Sequence, residues 1–143
     1  NNPMVDWLFR SRTAHSDASI APKGAQGARV LVRALKEGKT LGILVDQKMN
    51  DGIAIPFFGR DAMTAPAIAE LALRYDCPVI PAHVVRTKGA NFQVRVEEPL
   101  LIEKTGNKNA DVKTIMRQIN ARIEIWVQQH PEQWLWLHNR WPK

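Results

Sequence analysis

Histidine and carboxylate side chains are the residues through which this sequence could move protons, so their spacing comes first. The four histidines are His15, His83, His130 and His138. A histidine with an acid five residues later forms a compact general base on one loop. Here the residues at that spacing are Ile20, Lys88, Leu135 and Lys143, so no such dyad exists within residues 1–143. His15 precedes Ser16 and Asp17 in a polar stretch without a nucleophile elbow, and neighbours in a loop rarely aim at one another. His83 sits in an apolar run and reads as a hydrogen-bonded core histidine. His130 follows a helix end, where it complements the dipole, and His138 packs within an aromatic tail.

Asp46-Gln47 is the better candidate, directly after the apolar residues 40–45 (TLGILV). Open α/β sheets place ligands just past the carboxyl ends of buried strands. A turn-capping Asp and a solvated Gln would leave the same trace. Among the basic residues, Lys23, Arg29, Arg33, Lys48, Arg60 and Arg86 could gather phosphates. Arg60 and Arg86 stand out because each follows an apolar segment. A single surface cation is otherwise ordinary solvated charge.

Composition limits the classes. The chain has 143 residues, 45% hydrophobic and 24% charged, with a net charge of +6, which suits one folded domain with an anion-favouring surface. Its single cysteine, Cys77, allows neither an internal disulfide nor a cysteine zinc site. No apolar run approaches the ~20 residues of a spanning helix. The opening Asn1-Asn2-Pro3, without Met, reads as a piece cut from a longer protein, with any membrane anchor upstream. The basic charge meets no RNP strand pattern, zinc-finger spacing or Walker loop, so nucleic acid is not the expected partner.

The elements that must position these residues follow from periodicity. Asn2 and Pro3 start a helix that fades near Thr13, followed by a polar loop to Pro22. Residues 27–37 (GARVLVRALKE) form a second helix capped at Gly38, with Val30, Leu31, Ala34 and Leu35 inward. Residues 40–45 read as a strand buried on both faces. Residues 53–59 (IAIPFFG) are extended or at an edge because of Pro56. Thr64 caps a helix that carries Pro66 in its first turn and stops before Pro78. Residues 79–86 and the alternation of Phe92, Val94 and Val96 predict an antiparallel hairpin on a mixed sheet. Residues 103–111 read as a mobile loop, and residues 111–129 as the clearest helix. Four of the five tryptophans fall in the last eighteen residues. Trp126 and Trp136 are expected in the core, with Trp134 and Trp141 open between packing and a membrane interface.

Four segments together resemble one family: the initial NNP, ILVDQK (43–48), PFFGRDAMTAPAIAELALRYDCPVIPAHVVR (56–86) and HPEQWLWLHNRW (130–141). In this order they resemble the lauroyl/myristoyl acyltransferases of bacterial lipid A biosynthesis, and the closing string is the most specific of them. The resemblance implies one domain over residues 1–143, the C-terminal part of a longer enzyme. Its α/β fold would have a mixed sheet flanked by helices, as in glycerolipid acyltransferases. It implies acyl transfer from acyl carrier protein to a hydroxyl of a lipid A precursor, without a cofactor or metal, at the cytoplasmic face of the inner membrane. The family's His/Glu base, an arginine before NNP and the membrane helix would precede Asn1, leaving this piece inactive alone. Asp46 and Gln47 match the family's Asp-Gln. Phe58, Gly59 and Thr64 match its next motif and would shape the pocket, and Arg86 falls in a strand like the superfamily's fourth motif. Lys23, Lys48 and Arg60 are expected as phosphate contacts on their charge alone. Rival readings are an acyltransferase for another glycolipid, such as a phosphatidylinositol mannoside, or a non-catalytic basic domain that binds nucleic acid or anionic membrane.

Overall fold

The computed structural model describes residues 7, 11, 20–21, 24–137 and 139–141. The chain divides into two compact units, Asn1–Leu41 and Gly42–Lys143. Of the helix expected from Pro3, residues 7 and 11 are described and both are helical. His15, Lys23 and His138 lie outside the described residues.

In the first unit, helix α1 spans Ala25–Lys36. Leu31, Val32, Ala34 and Leu35 are half-buried, whereas Val30 is exposed. Gly38, at φ 73°, ends the helix as expected. Its N–H donates to Leu35 O at 3.0 Å, and the N–H of Lys39 donates to Ala34 O at 2.9 Å. Both bonds satisfy last-turn carbonyls that a helix otherwise leaves unpaired. Glu37 sits unfavourably at the negative helix end, but Lys39 and Arg33 bond it and hold its carboxyl down at about 2.

The second unit is built on two hairpins and one long helix. Strand β1 (Ile53–Phe57) pairs antiparallel with β2 (Arg60–Thr64), in register from Ile53 opposite Thr64 to Phe57 opposite Arg60. Phe58 and Gly59, both at positive φ (50° and 71°), make the two-residue turn. A phenylalanine is a poor choice there. It is held by its N–H, which donates to Glu124 Oε1 at 2.7 Å, and by edge-on contact with Phe57 at 4.7 Å between centroids. Helix α2 (Ala67–Tyr75) follows and ends on Asp76 in the left-handed region, φ 52°. Strand β3 (Ala82–Arg86) then pairs antiparallel with β4 (Phe92–Val96). Helix α3 spans Lys108–Gln129 and runs into a short 3-10 turn, Pro131–Gln133.

The core lies where α3 crosses the β1–β2 hairpin and α2. Val112, Ile115, Met116, Ile119, Ile123 and Val127 repeat at three and four along α3, and they pack on Ile55, Phe57, Ala62, Ala69 and Ala72. Fully burying such side chains contributes roughly 1.5–3 kcal/mol each for the larger ones.

The α/β class, the β3–β4 hairpin and the two long helices therefore hold. Four local expectations do not. Residues 40–45 pair with no described strand, and Leu44 is 81% exposed. The strands form two separate two-stranded antiparallel sheets rather than one mixed sheet. Thr64 does not cap α2: it closes β2, fully buried, and its hydroxyl donates inward to Ala62 O at 3.0 Å. Pro66 stands at the helix N-cap instead, without a side-chain cap. Residues 103–111 are not a free loop. Buried Asp111 accepts from Thr105 Oγ1 at 2.6 Å and from Thr105 N at 3.2 Å, while Asn107 caps α3 through Ala110 N at 3.2 Å. Asn107 thus satisfies one first-turn donor of the helix that begins at Lys108, and Asp111 ties the preceding Thr105 onto it.

Candidate functional site

A cleft of about 320 Å³ opens beside the β3–β4 hairpin and α3. Ile43, Val45, Val85, Ile123, Trp126 and Trp134 give it apolar walls, and Asp46, His83, His130 and Gln133 are its polar groups. A smaller cavity of about 80 Å³ adjoins it and shares Ile43, Val45, Ala82, Ile123 and Trp126. Residues 43–45 thus act as a wall between two apolar spaces rather than as a sheet strand. This explains why so apolar a segment forms no ladder with a described strand.

Asp46 ends that wall. Its Oδ1 is buried and accepts no hydrogen bond. A buried, unsatisfied carboxylate oxygen is costly, and functional sites are where such costs are tolerated. Gln47 and Lys48, next in the chain, are exposed and do not line the cleft.

His83 stands on β3 and stacks on the Trp126 indole, 4.4 Å between ring centroids and 23° between planes. The indole is itself fixed, since Trp126 Nε1 donates to Glu97 Oε1 at 2.7 Å and Arg122 pairs with the other Glu97 oxygen at 3.4 Å. Both His83 ring nitrogens are buried without a partner, so the expected hydrogen-bonded core histidine is instead a stacked one. Burial pushes its pKa below the ordinary histidine value. Arg95 and His130 add to the shift, and Glu97 opposes it. His130 caps α3 at the dipole's negative end, as expected, with Glu132 Oε1 3.7 Å from its Nδ1.

The cleft's far wall is tied down by Gln133, whose side-chain amide accepts from Arg86 N at 2.8 Å and donates to Arg86 O at 3.0 Å. This copies a strand pairing at the end of β3. Arg86 lies outside the cleft, its guanidinium 5.2 Å from the Phe92 centroid. Arg60 lies on the Trp141 ring at 5.7 Å. No described lysine or arginine lines the cleft, so Lys48, Arg60 and Arg86 do not converge on Asp46 there. Phe58 and Gly59 shape the β1–β2 turn, and Thr64 sits in the core behind it.

The tryptophans divide by environment. Trp126 is half-buried against the core. Trp134 and Trp141 pack on Phe57 at 6.2 and 5.7 Å, and Trp141 Nε1 donates to Phe57 O at 3.1 Å. Trp136, expected inside, is 54% exposed, with its Nε1 bonded to Pro131 O at 2.9 Å.

Two residues of the inner framework escaped the sequence reading. Asn120, fully buried on α3, donates to Pro56 O at 3.1 Å and to Thr64 Oγ1 at 3.4 Å. Arg140 donates to Asn120 Oδ1 at 2.9 Å and to Thr64 Oγ1 at 3.2 Å. Asn120 could have been noticed as the one amide on the inner stripe of α3. Nothing in the spacing marks Arg140 as buried. Among the described residues, no group of three or more His, Cys, Asp or Glu side chains is placed to hold a metal ion, and no helix is long and apolar enough to cross a membrane.

A family model described as bacterial lipid A biosynthesis acyltransferase matches residues 1–143. The chain is 26% identical over 139 residues to the lipid A biosynthesis acyltransferase 2 of Shigella flexneri, an alignment covering 95% of this chain and 43% of that protein. It is 26% identical to the lipid A biosynthesis myristoyltransferase of Escherichia coli (strain K12), over 95% of this chain and 42% of the relative. With the lauroyltransferase of the same organism it shares 25% identity, over 98% and 45%. The chain spans less than half the length of these relatives.

Proposed function

The chain belongs to the bacterial lipid A biosynthesis acyltransferase family, and on that premise we propose that residues 42–137 supply the chain-binding part of an acyl-transfer site. The observation that carries this reading is the cleft. Its apolar walls suit a fatty acyl chain, and at the end of one wall stands Asp46, the carboxylate of the family's Asp-Gln pair.

In this reading the complete enzyme moves an acyl group from acyl carrier protein to a hydroxyl of a lipid A precursor, at the cytoplasmic face of the inner membrane. A His/Glu base from outside these residues takes the hydroxyl proton as the oxygen attacks the thioester carbonyl. The carrier's thiol then leaves. Asp46 orients the reacting groups at the mouth of the cleft, with Gln47 beside it. Phe58, Gly59 and Thr64 hold the core behind the site. Lys48, Arg60 and Arg86 supply positive charge for phosphates on the acceptor.

The test is to express the complete gene in a bacterium lacking its own late lipid A acyltransferases and weigh the lipid A. The expected result is a gain of one acyl chain. Unchanged lipid A, with the protein present at the membrane, would contradict the reading.

A further inference from the structure

Side chains alternate across the β3–β4 hairpin, and its two faces meet different surroundings. His83, Val85 and Glu97 are on the side of α3: His83 stacks on Trp126, Val85 is buried, and Glu97 accepts from the Trp126 indole. The register sets Ala82 opposite Val96, Val84 opposite Val94 and Arg86 opposite Phe92, so these six share the other face. That face is apolar except for Arg86, whose guanidinium lies against Phe92 at one end. It is also open: Val84, Phe92, Val94 and Val96 are 58%, 57%, 65% and 66% exposed. Ala82 and Val84 border the cleft, but Phe92, Val94 and Val96 line neither cavity. An acyl chain in the cleft does not account for them.

A hairpin with one wet face ordinarily turns its apolar alternation to the core and its polar residues to water. Here Gln93 and Arg95 share the side of His83, and the valines of β4 point the other way. Among the described residues β4 pairs with β3 alone. Folded proteins blunt or cover such apolar edges.

Three kinds of cover would fit an apolar face, and the residue types select one. A lipid interface favours Trp, Tyr and Leu rimmed by several Lys and Arg, whereas this face carries valines, an alanine and a phenylalanine with a single arginine. A second copy would bring its own charge of +6 against the first. β-branched residues on a pleated surface suit the packed interior of a sheet, and a sheet buried in an α/β protein has a layer on each face. Helix α3 is one layer. Relatives in the same family are more than twice as long as this chain, so a protein of that length has the material for the other.

We propose that the face formed by Val84, Phe92, Val94 and Val96 is an internal interface, covered in the longer protein by an apolar layer from outside residues 1–143. This follows from family membership and the exposed face, and it does not depend on the acyl-transfer reading of the cleft.

Cysteine labelling of the complete protein tests the cover. Val94→Cys is compared with Lys88→Cys at the exposed hairpin turn, and mass spectrometry of the labelled peptides reads each position apart from Cys77. Position 94 should react with N-ethylmaleimide on the order of tenfold more slowly than position 88, or slower still. Equal rates would overturn the proposal. If Val94→Cys does not fold, Val96→Cys gives the same reading. Replacing Phe92 by the photoreactive p-benzoylphenylalanine, which keeps an aromatic ring on the face, then identifies the cover. Irradiation should join position 92 to a peptide of the same molecule from outside residues 1–143. A crosslink to lipid, a dimer-sized product or a crosslink to residues 1–41 would each overturn the proposal.

Discussion

At the scale of the residue, the polar groups that matter are those the fold leaves buried. His83 has a lowered pKa because its stacked, partnerless ring is pushed from water and faces Arg95 and His130, with Glu97 opposing. The unfolded chain titrates near ~6.5 and so binds the proton more readily than the folded one. The stability due to neutral His83 is complete above that value and is lost as pH falls through the lower folded one. Urea midpoints at pH 7.5 and pH 5.5 should therefore differ more for wild type than for His83→Gln. An equal drop in both would contradict this. Asn120→Ala removes three buried hydrogen bonds at once, to Pro56, Thr64 and Arg140. It leaves Pro56 O without that donor and takes one bond each from Thr64 and Arg140, which stay bonded to each other, so thermal unfolding should show a loss of about 2–3 kcal/mol. A loss below ~0.5 kcal/mol would mean that the triad is not a structural unit.

At the scale of the element, what could be read ahead followed how local the cause was. Helix α3 was legible because its apolar residues repeat at helical spacing from Val112 to Val127, about four turns. Gly38 was legible because only a left-handed cap explains a glycine there. The β3–β4 pairing followed from the alternation of Phe92, Val94 and Val96. Residues 40–45 misled because a continuous apolar run looks the same whether it pairs in a sheet or lines a cavity. Thr64 misled because a threonine before a proline fits a cap, while its place opposite Ile53 is set by a partner strand. The site divides the same way. Asp46 was visible from its position after an apolar run, whereas Asn120 and Arg140 depend on contacts made across the core. The hairpin also carries a close backbone approach. A Cβ on Gly52 would lie 2.4 Å from Thr64 O and 2.8 Å from Thr64 C, and neither backbone atom can turn aside. Gly52→Ala should cost about 1–3 kcal/mol in urea unfolding, and an unchanged midpoint would show that the β1–β2 entry is looser than described.

At the scale of the whole molecule, the proposed reading makes this chain one part of a site. Its relatives are more than twice as long, and none of its four histidines carries an acid five residues on. What it contributes is an apolar seat, a carboxylate at the seat's edge and an aromatic, arginine-anchored tail that holds the seat's wall. The positive charge of +6 fits an anionic lipid surface as well as phosphates. The cleft itself holds no described lysine or arginine, so on the proposed reading charge and chain recognition fall on different surfaces.

The most direct measurement is acyl transfer by the purified complete enzyme, wild type against Asp46→Ala, with acyl carrier protein as donor and a lipid A precursor as acceptor. A displaced reacting group costs on the order of 10²-fold. The account predicts a loss of at least that size in kcat/KM while the enzyme stays folded. Wild-type turnover by a folded Asp46→Ala enzyme would contradict it.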